Sequence, residues 1–392
     1  MSGAPHVLFA GGGAAGHLFP GLAVAEHFSQ RFPQAKITFT GSGKSRERHI
    51  VQSAGRHYTV IPAQPLPRNP LHALRFVTDN VAGYCAARWM LREQQVSLVV
   101  GLGGYTSAAV VRAALARDLP VILLEQNAIP GRTTRWLARS AAMVCAAFEQ
   151  VRPHLHVQAP VTITGNPTRP AFERLYRKKI DNGQWTDGDA ATIPFSAESS
   201  QRQKRLVILG GADGARSLNE SLPAALRQLG DSLASWQIVH QTGEGQLQAT
   251  ERRYQQAGVD ALAVTCIDEI ASVLFVSDLV VCRAGGTTLA ELALAGVPAI
   301  LAPHPSATDD HQTANAKVIA AAGACRLIDE TSQTGALDTA LARELRPLVT
   351  DDHRRREMGR HMHDLARPRA SAEIAEAICN ILYGCRSGLA AA

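Results

Sequence analysis

The chain has 392 residues, of which 46% are hydrophobic and 19% charged, enough for about two cored domains and too apolar for a wholly disordered chain. Its 40 basic and 34 acidic residues leave a net charge of +6, which suits an anionic ligand or an acidic membrane surface. With only 5% aromatic residues there is little to stack on bases, so no nucleic-acid partner is expected.

At the N-terminus no basic leader precedes the first apolar run, and no stretch of about 18 apolar residues occurs anywhere, so neither a secretory signal nor a spanning helix is expected. Residues 6–10 read as a buried strand, followed by a glycine turn and a helical stretch at 20–31; 37–40 is the second strand. Residues 71–92 mix Leu74, Phe76, Val77, Val81, Trp89, Met90 and Leu91 with Arg75, Arg88 and Arg92. That pattern fits a helix resting on an anionic membrane surface and equally an ordinary helix packed on a sheet. Strands are expected at 98–100 and 121–124, with a helix at 106–117 between them. Residues 178–204 are polar and without period, a linker or a surface excursion. Beyond them the alternation resumes, with strands at 206–209, 237–240, 263–266, 279–282 and 299–302. Continuous rather than alternating apolar runs are what parallel strands need when helices cover both sheet faces.

The expected fold class is therefore α/β, two doubly wound Rossmann-like domains with parallel sheets facing a cleft. Residues 1–177 form the first domain, 178–204 the linker or excursion and 205–369 the second domain, and a helix in 370–392 packs back on the first. The seven cysteines (Cys85, Cys145, Cys266, Cys282, Cys325, Cys379 and Cys385) are odd in number and scattered, which points to a reducing compartment without disulfides.

Gly11, Gly13 and Gly16 satisfy Gly-x-Gly-x-x-Gly after a strand. A dinucleotide site also needs an acid at the end of the second strand, and Thr40-Gly41-Ser42 supplies none. Gly43-Lys44-Ser45 lacks the first glycine of a Walker loop, since position 38 is Thr38. Asp187 and Asp189 read as solvated loop acids and no metal-ligand spacing exists, so neither metal nor other cofactor is expected; His353, His361 and His363 read as a solvated helix face. Three further glycine turns follow strands, at 101–105, 210–215 and 283–288. Glycine turns feeding helix N-termini suit anionic or polyhydroxylated ligands.

The run from Gly11 to Ala23 resembles the opening motif of the MurG family of glycosyltransferases, family 28. Further matches follow in order at 101–107, Glu125-Gln126-Asn127, 165–169, 210–215, 283–291 and His311-Gln312-x-x-Asn315, covering roughly residues 7–329. The resemblance implies the two-domain GT-B fold and a hexosyltransferase that works without a metal. It would move N-acetylglucosamine, with inversion, from UDP-N-acetylglucosamine to the C4 hydroxyl of the muramyl sugar of lipid I, a polyprenyl-diphosphate acceptor, giving lipid II for peptidoglycan. It implies a peripheral enzyme on the cytoplasmic face of the bacterial plasma membrane, with cell-wall synthesis proteins as partners and a part in cell shape and division.

Residue by residue, the resemblance puts the uracil at the Ile267 backbone and the ribose at Glu291, because a carboxylate accepts from two vicinal hydroxyls. Thr288 and Arg169 would hold the donor diphosphate, with Ala212, Gly286 and Thr287 also among the donor-binding residues; Asn127, Gln312 and Asn315 would read the sugar. Gly12, Gly13, Ala14, Ala15, Gly16, Gly103 and Gly104 would hold the acceptor diphosphate. His17 would be the general base and Tyr105 would orient substrate; a histidine that only caps the turn or binds phosphate is the alternative.

Three loops depart from the family pattern. Ala14-Ala15 stands for Thr-Gly, Ala212-Asp213 for Ser-Gln, and Ala284-Gly285-Gly286 for Ser-Gly-Ala. The lost hydroxyls imply a slower reaction or a different acceptor. A related GT-B enzyme (a UDP-sugar 2-epimerase or a transferase to another lipid) and a non-catalytic UDP-sugar-binding protein are the competing readings.

Overall fold

The buried apolar runs assemble into two all-parallel sheets, each in its own unit. In this computed structural model residues 4–384 are described apart from 13–14, 68, 70, 72, 156–158, 183–202, 212 and 331–335. One compact unit comprises Met1–Arg169 and Arg367–Ala392, the other Pro170–Ala366. The sequence boundary at 177 falls inside a helix, Pro170–Asn182, that belongs to the second unit.

The first unit carries strands β1 (His6–Ala10), β2 (Lys36–Gly41), β3 (His57–Val60), β4 (Leu98–Gly101), β5 (Val121–Glu125), β6 (Met143–Ala146) and β7 (Val161–Ile163). Its helices are α1 (Ala15–Arg31), α2 (Ser45–Ser53), α3 (Ala73–Glu93), α4 (Tyr105–Leu115) and α5 (Arg132–Leu137). The sheet order is β3-β2-β1-β4-β5-β6-β7, every pair parallel. The order reverses between β1 and β4, and doubly wound sheets bind ligands at that switch point, beyond the carboxyl ends of the strands.

The second unit opens with α6 (Pro170–Asn182), then β8 (Lys204–Leu209), α7 (Arg216–Arg227), β9 (Trp236–Gln241), α8 (Leu247–Ala257), β10 (Leu262–Val264) and α9 (Ile270–Phe275). It continues through β11 (Leu279–Cys282), α10 (Gly286–Ala295), β12 (Ala299–Leu301), α11 (His311–Ala321), β13 (Cys325–Leu327), α12 (Leu337–Thr350) and α13 (Asp352–Asp364). Its order, β10-β9-β8-β11-β12-β13, repeats the pattern, with the switch point between β8 and β11. The final helix, α14 (Ala370–Tyr383), returns to the first unit, where Ile374, Ala375, Ile378 and Cys379 join a core with Val7, Phe9, Val24 and Phe28.

Several elements differ from expectation. Helix α1 begins at Ala15 and runs through Pro20, so Pro20 removes one backbone donor without starting the helix. Strand β10 ends at Val264, and Cys266 is exposed beyond it. On α13, His361 and His363 are half-buried rather than solvated, and His363 stacks on Tyr176 at 5.6 Å.

Candidate active site

In the first unit three turns meet beyond the ends of β1, β4 and β5. Gly11 packs so closely on Leu102 that a Cβ there would lie 2.5 Å from the Leu102 Cβ. Gly103 and Gly104 take φ of +89° and +74°, a region side chains avoid, and a Cβ on Gly104 would lie 2.9 Å from the Gly12 carbonyl oxygen. These glycines bring the β1 and β4 turns into contact. Tyr105, half-buried, opens α4 directly after them.

His17 lies in the first turn of α1 and is half-buried. Its Nδ1 is 2.9 Å from Gln126 Oε1 and 3.1 Å from the Leu102 carbonyl oxygen. The buried Gln126 also donates from Nε2 to that same carbonyl at 3.1 Å. Asn127 is pinned by the acid before it: Glu125 accepts from the Asn127 N–H at 3.1 Å and Nδ2 at 3.3 Å, and from the Gly131 N–H at 3.0 Å. Arg169 belongs to this unit, its guanidinium 5.1 Å from the centroid of the Phe19 ring on α1. Gly16 is exposed at the helix start and Ala15 is the first residue of α1; Gly13, Ala14 and Ala212 lie outside the described residues, as do Asp187 and Asp189.

An acid does stand at the end of β2, supplied by α2 rather than by the strand. Glu47 is buried and accepts from the Ser42 N–H at 2.8 Å, the Ser42 hydroxyl at 2.8 Å and the Tyr58 hydroxyl at 2.7 Å. Burial and this hydrogen bond push the Tyr58 phenol up. A Cβ on Gly12 would lie 2.9 Å from Glu47 Oε1, so the carboxylate supports the glycine turn from beneath.

In the second unit Gly286, Thr287, Thr288 and Glu291 all lie on α10, which leaves the switch-point strand β11. An exposed first-turn acid would need no function beyond the helix dipole. Glu291 is instead in the second turn and buried. Asn315, fully buried on α11, donates Nδ2 to the Ala284 carbonyl at 3.1 Å and ties that helix to the turn before α10. Gln312, on the same helix, accepts from the His304 N–H at 2.9 Å. Ile267 follows β10, and its N–H donates to Gln241 Oε1 at 3.1 Å.

Arg283 binds this edge together. It donates to the Ala302 carbonyl at 2.8 Å, to Ser217 Oγ at 2.8 Å and, in an ion pair, to Glu330. Ser217 in turn donates to Glu330 at 3.0 Å, so the turns after β8, β11, β12 and β13 share one network. Beneath it, burial pushes the Cys282 thiol up and the Cys325 thiol up to about 12, which leaves neither as a thiolate at neutral pH. Glu47, Gln241 and Glu330 stand in no motif that would assign them a role from the sequence; Gln126 does, in the Glu125-Gln126-Asn127 run.

Two parallel-sheet units with glycine turns at both switch points are consistent with a sugar-nucleotide enzyme. Residues 7–146 match the N-terminal domain and residues 205–374 the C-terminal domain of glycosyltransferase family 28. The chain belongs to glycosyltransferase family 28. Its relatives include the UDP-N-acetylglucosamine–N-acetylmuramyl-(pentapeptide) pyrophosphoryl-undecaprenol N-acetylglucosamine transferase of Myxococcus xanthus, 36% identical over 96% of this chain and 93% of the relative. The transferase of the same name from Geobacter sulfurreducens is 34% identical over 94% of this chain and 97% of its own. Among solved structures, MurG of Acinetobacter baumannii superposes with a TM-score of 0.72 at 28% identity, covering 96% of this chain and 99% of that one. These relations give the GT-B fold expected from the sequence. A UDP-N-acetylglucosamine 2-epimerase from Neisseria meningitidis, with a TM-score of 0.66 at 13% identity over 96% of this chain and 100% of that one, shares the fold alone.

Proposed function

We propose that this family 28 chain transfers N-acetylglucosamine from UDP-N-acetylglucosamine to the C4 hydroxyl of the muramyl sugar of lipid I, making lipid II for peptidoglycan. The observation that carries the reading is identity of 34–36% over nearly the full length to transferases that bear that name. The epimerase alternative has only a likeness of fold behind it.

The first unit takes the acceptor. Gly12 to Gly16, with Gly103 and Gly104, hold its diphosphate on backbone N–H groups, and Tyr105 orients it. His17 Nε2 takes the proton of the C4 hydroxyl. As that oxygen bonds to C1, the bond from C1 to the diphosphate breaks on the opposite face and its electron pair leaves with UDP, which inverts C1. The donor lies on the second unit. Glu291 accepts from the ribose hydroxyls, Thr288 and Arg169 steady the charge growing on the diphosphate, and Ala212, Gly286 and Thr287 complete the donor contacts. Gln312, Asn315 and Asn127 meet the sugar. The Ile267 N–H already serves Gln241, so the Ile267 carbonyl is the group offered to uracil. The test is transfer of radiolabelled sugar from UDP-N-acetylglucosamine to a synthetic lipid I analogue. Labelled disaccharide lipid is expected, undiminished by EDTA; UDP release without lipid, or a need for added metal, overturns the reading.

The site of action is the cytoplasmic face of the plasma membrane, with the chain held peripherally; among the described residues no helix is long and apolar enough to cross a bilayer. Helix α3 supports this. It buries Gly83, Ala87, Met90 and Leu91, yet leaves Leu74 76% and Trp89 68% exposed, with Val77, Val81, Arg75, Arg88 and Arg92 also facing out. Leu74→Glu with Val77→Glu is expected to weaken binding to phosphatidylglycerol vesicles at least about tenfold, from lost apolar burial and added like charge. Sedimentation that matches the parent chain removes this face from the proposal.

A further inference from the structure

The base role proposed for His17 requires one ring nitrogen to be unprotonated and to face substrate, and the geometry around the ring selects which. We propose that Gln126 is a positioning residue that fixes His17 as its Nδ1–H tautomer and so makes Nε2 the proton acceptor. The inference rests on the transferase reading for its purpose, but its physical content is independent of it.

The Leu102 carbonyl decides the orientation of the amide and with it the tautomer. That oxygen lies 3.1 Å from Gln126 Nε2 and 3.1 Å from His17 Nδ1. A carbonyl only accepts, so the Gln126 amide must present its nitrogen there; the flipped amide would set oxygen against oxygen. With the nitrogen so placed, Oε1 is what faces His17, at 2.9 Å. Nδ1 therefore meets two acceptors and no donor, and it satisfies them only by carrying the hydrogen. A neutral imidazole has one such hydrogen, which leaves a lone pair on Nε2. The other tautomer would crowd three lone pairs together beside a side chain that is 4% exposed, where water cannot mend the loss. Gly103 lies beside the ring: a Cβ there would be in ordinary contact with Nδ1 at 3.4 Å, and its φ of +89° excludes most side chains. No described residue hydrogen-bonds Nε2.

An amide differs from the carboxylate that orients histidine in many hydrolases. It sets the tautomer without a charge that would raise the basicity of the ring. Two variants of the full chain separate these effects. Gln126→Met keeps the bulk and loses both hydrogen bonds; Gln126→Glu adds the charge. Imidazole nitrogen shifts of histidine-labelled protein at pH 8, with the His17 signals assigned by their loss in His17→Ala, report the tautomer directly. The wild-type protein should show Nδ1 protonated, and Gln126→Met a mixture. Transfer to the lipid I analogue by Gln126→Met should lose at least about tenfold in kcat, with KM for UDP-N-acetylglucosamine within about twofold. For Gln126→Glu the acidic limb of the kcat profile should move to higher pH. A wild-type spectrum with Nε2 protonated overturns the proposal, as does a Gln126→Met protein that keeps both tautomer and kcat. If His17→Ala itself turns over normally, the base role fails, and the spectra still decide whether Gln126 sets the tautomer.

Discussion

His17→Ala should lower kcat for transfer to a lipid I analogue by about 10²–10⁴-fold, the usual worth of a general base, and leave affinity for UDP-N-acetylglucosamine within about twofold. The asymmetry follows from the architecture. His17 sits on α1 in the unit read as the acceptor side, and Glu291 and the α10 turn belong to the other unit. A ring that only bound acceptor phosphate would, when removed, raise KM for the lipid and spare kcat at saturation. Steady-state kinetics with each substrate varied, beside calorimetry with the donor, distinguish the two. Turnover equal to the parent enzyme would falsify the base role.

Glu291→Ala has the largest expected effect on donor binding. A buried carboxylate that accepts from two vicinal ribose hydroxyls contributes charge-assisted hydrogen bonds of about 1.5–3 kcal/mol each. Even the loss of one weakens Kd for UDP-N-acetylglucosamine by about 10–100-fold. Glu291→Gln is the control for folding, since it keeps the volume of a side chain that is only 3% exposed. It should bind more weakly than the parent and more tightly than the alanine variant. Calorimetry with UDP as well as the full donor checks the assignment: both affinities should fall together, because the ribose is common to both. Unchanged affinity for either refutes it.

Most inner strands of both sheets are legible in the sequence because their apolar runs are uninterrupted and both faces are covered, as in β1 and β11; β6, though inner, goes unread because its Met-Val-Cys-Ala run is short and carries no β-branched pattern. The edges are not. Strand β3 is His57-Tyr58-Thr59-Val60, none of it buried, and β13 is three residues with Arg326 at its centre. Neither offers a pattern that differs from a polar loop. The glycine turns carry their own local signature, so the candidate ligand loops are readable in advance. Their supports are not, because topology rather than chain order brings the partners together. His17 and Gln126 are 109 positions apart, and Ser217 and Glu330 are 113 apart. Glu47 escapes for a related reason: the acid is expected on β2, and α2 delivers it to the same place.

Helix α14 carries a consequence for synthesis. Ile374 and Ile378 are almost wholly excluded from solvent against Val7, Phe9 and Phe28, across the whole intervening unit. A nascent chain emerges from the ribosome N-terminus first, Val7 and Phe9 long before Ile374 and Ile378. One flank of the earliest strands thus waits, uncovered, while Pro170–Ala366 is translated and can close its own core. The half begun first is the half finished last.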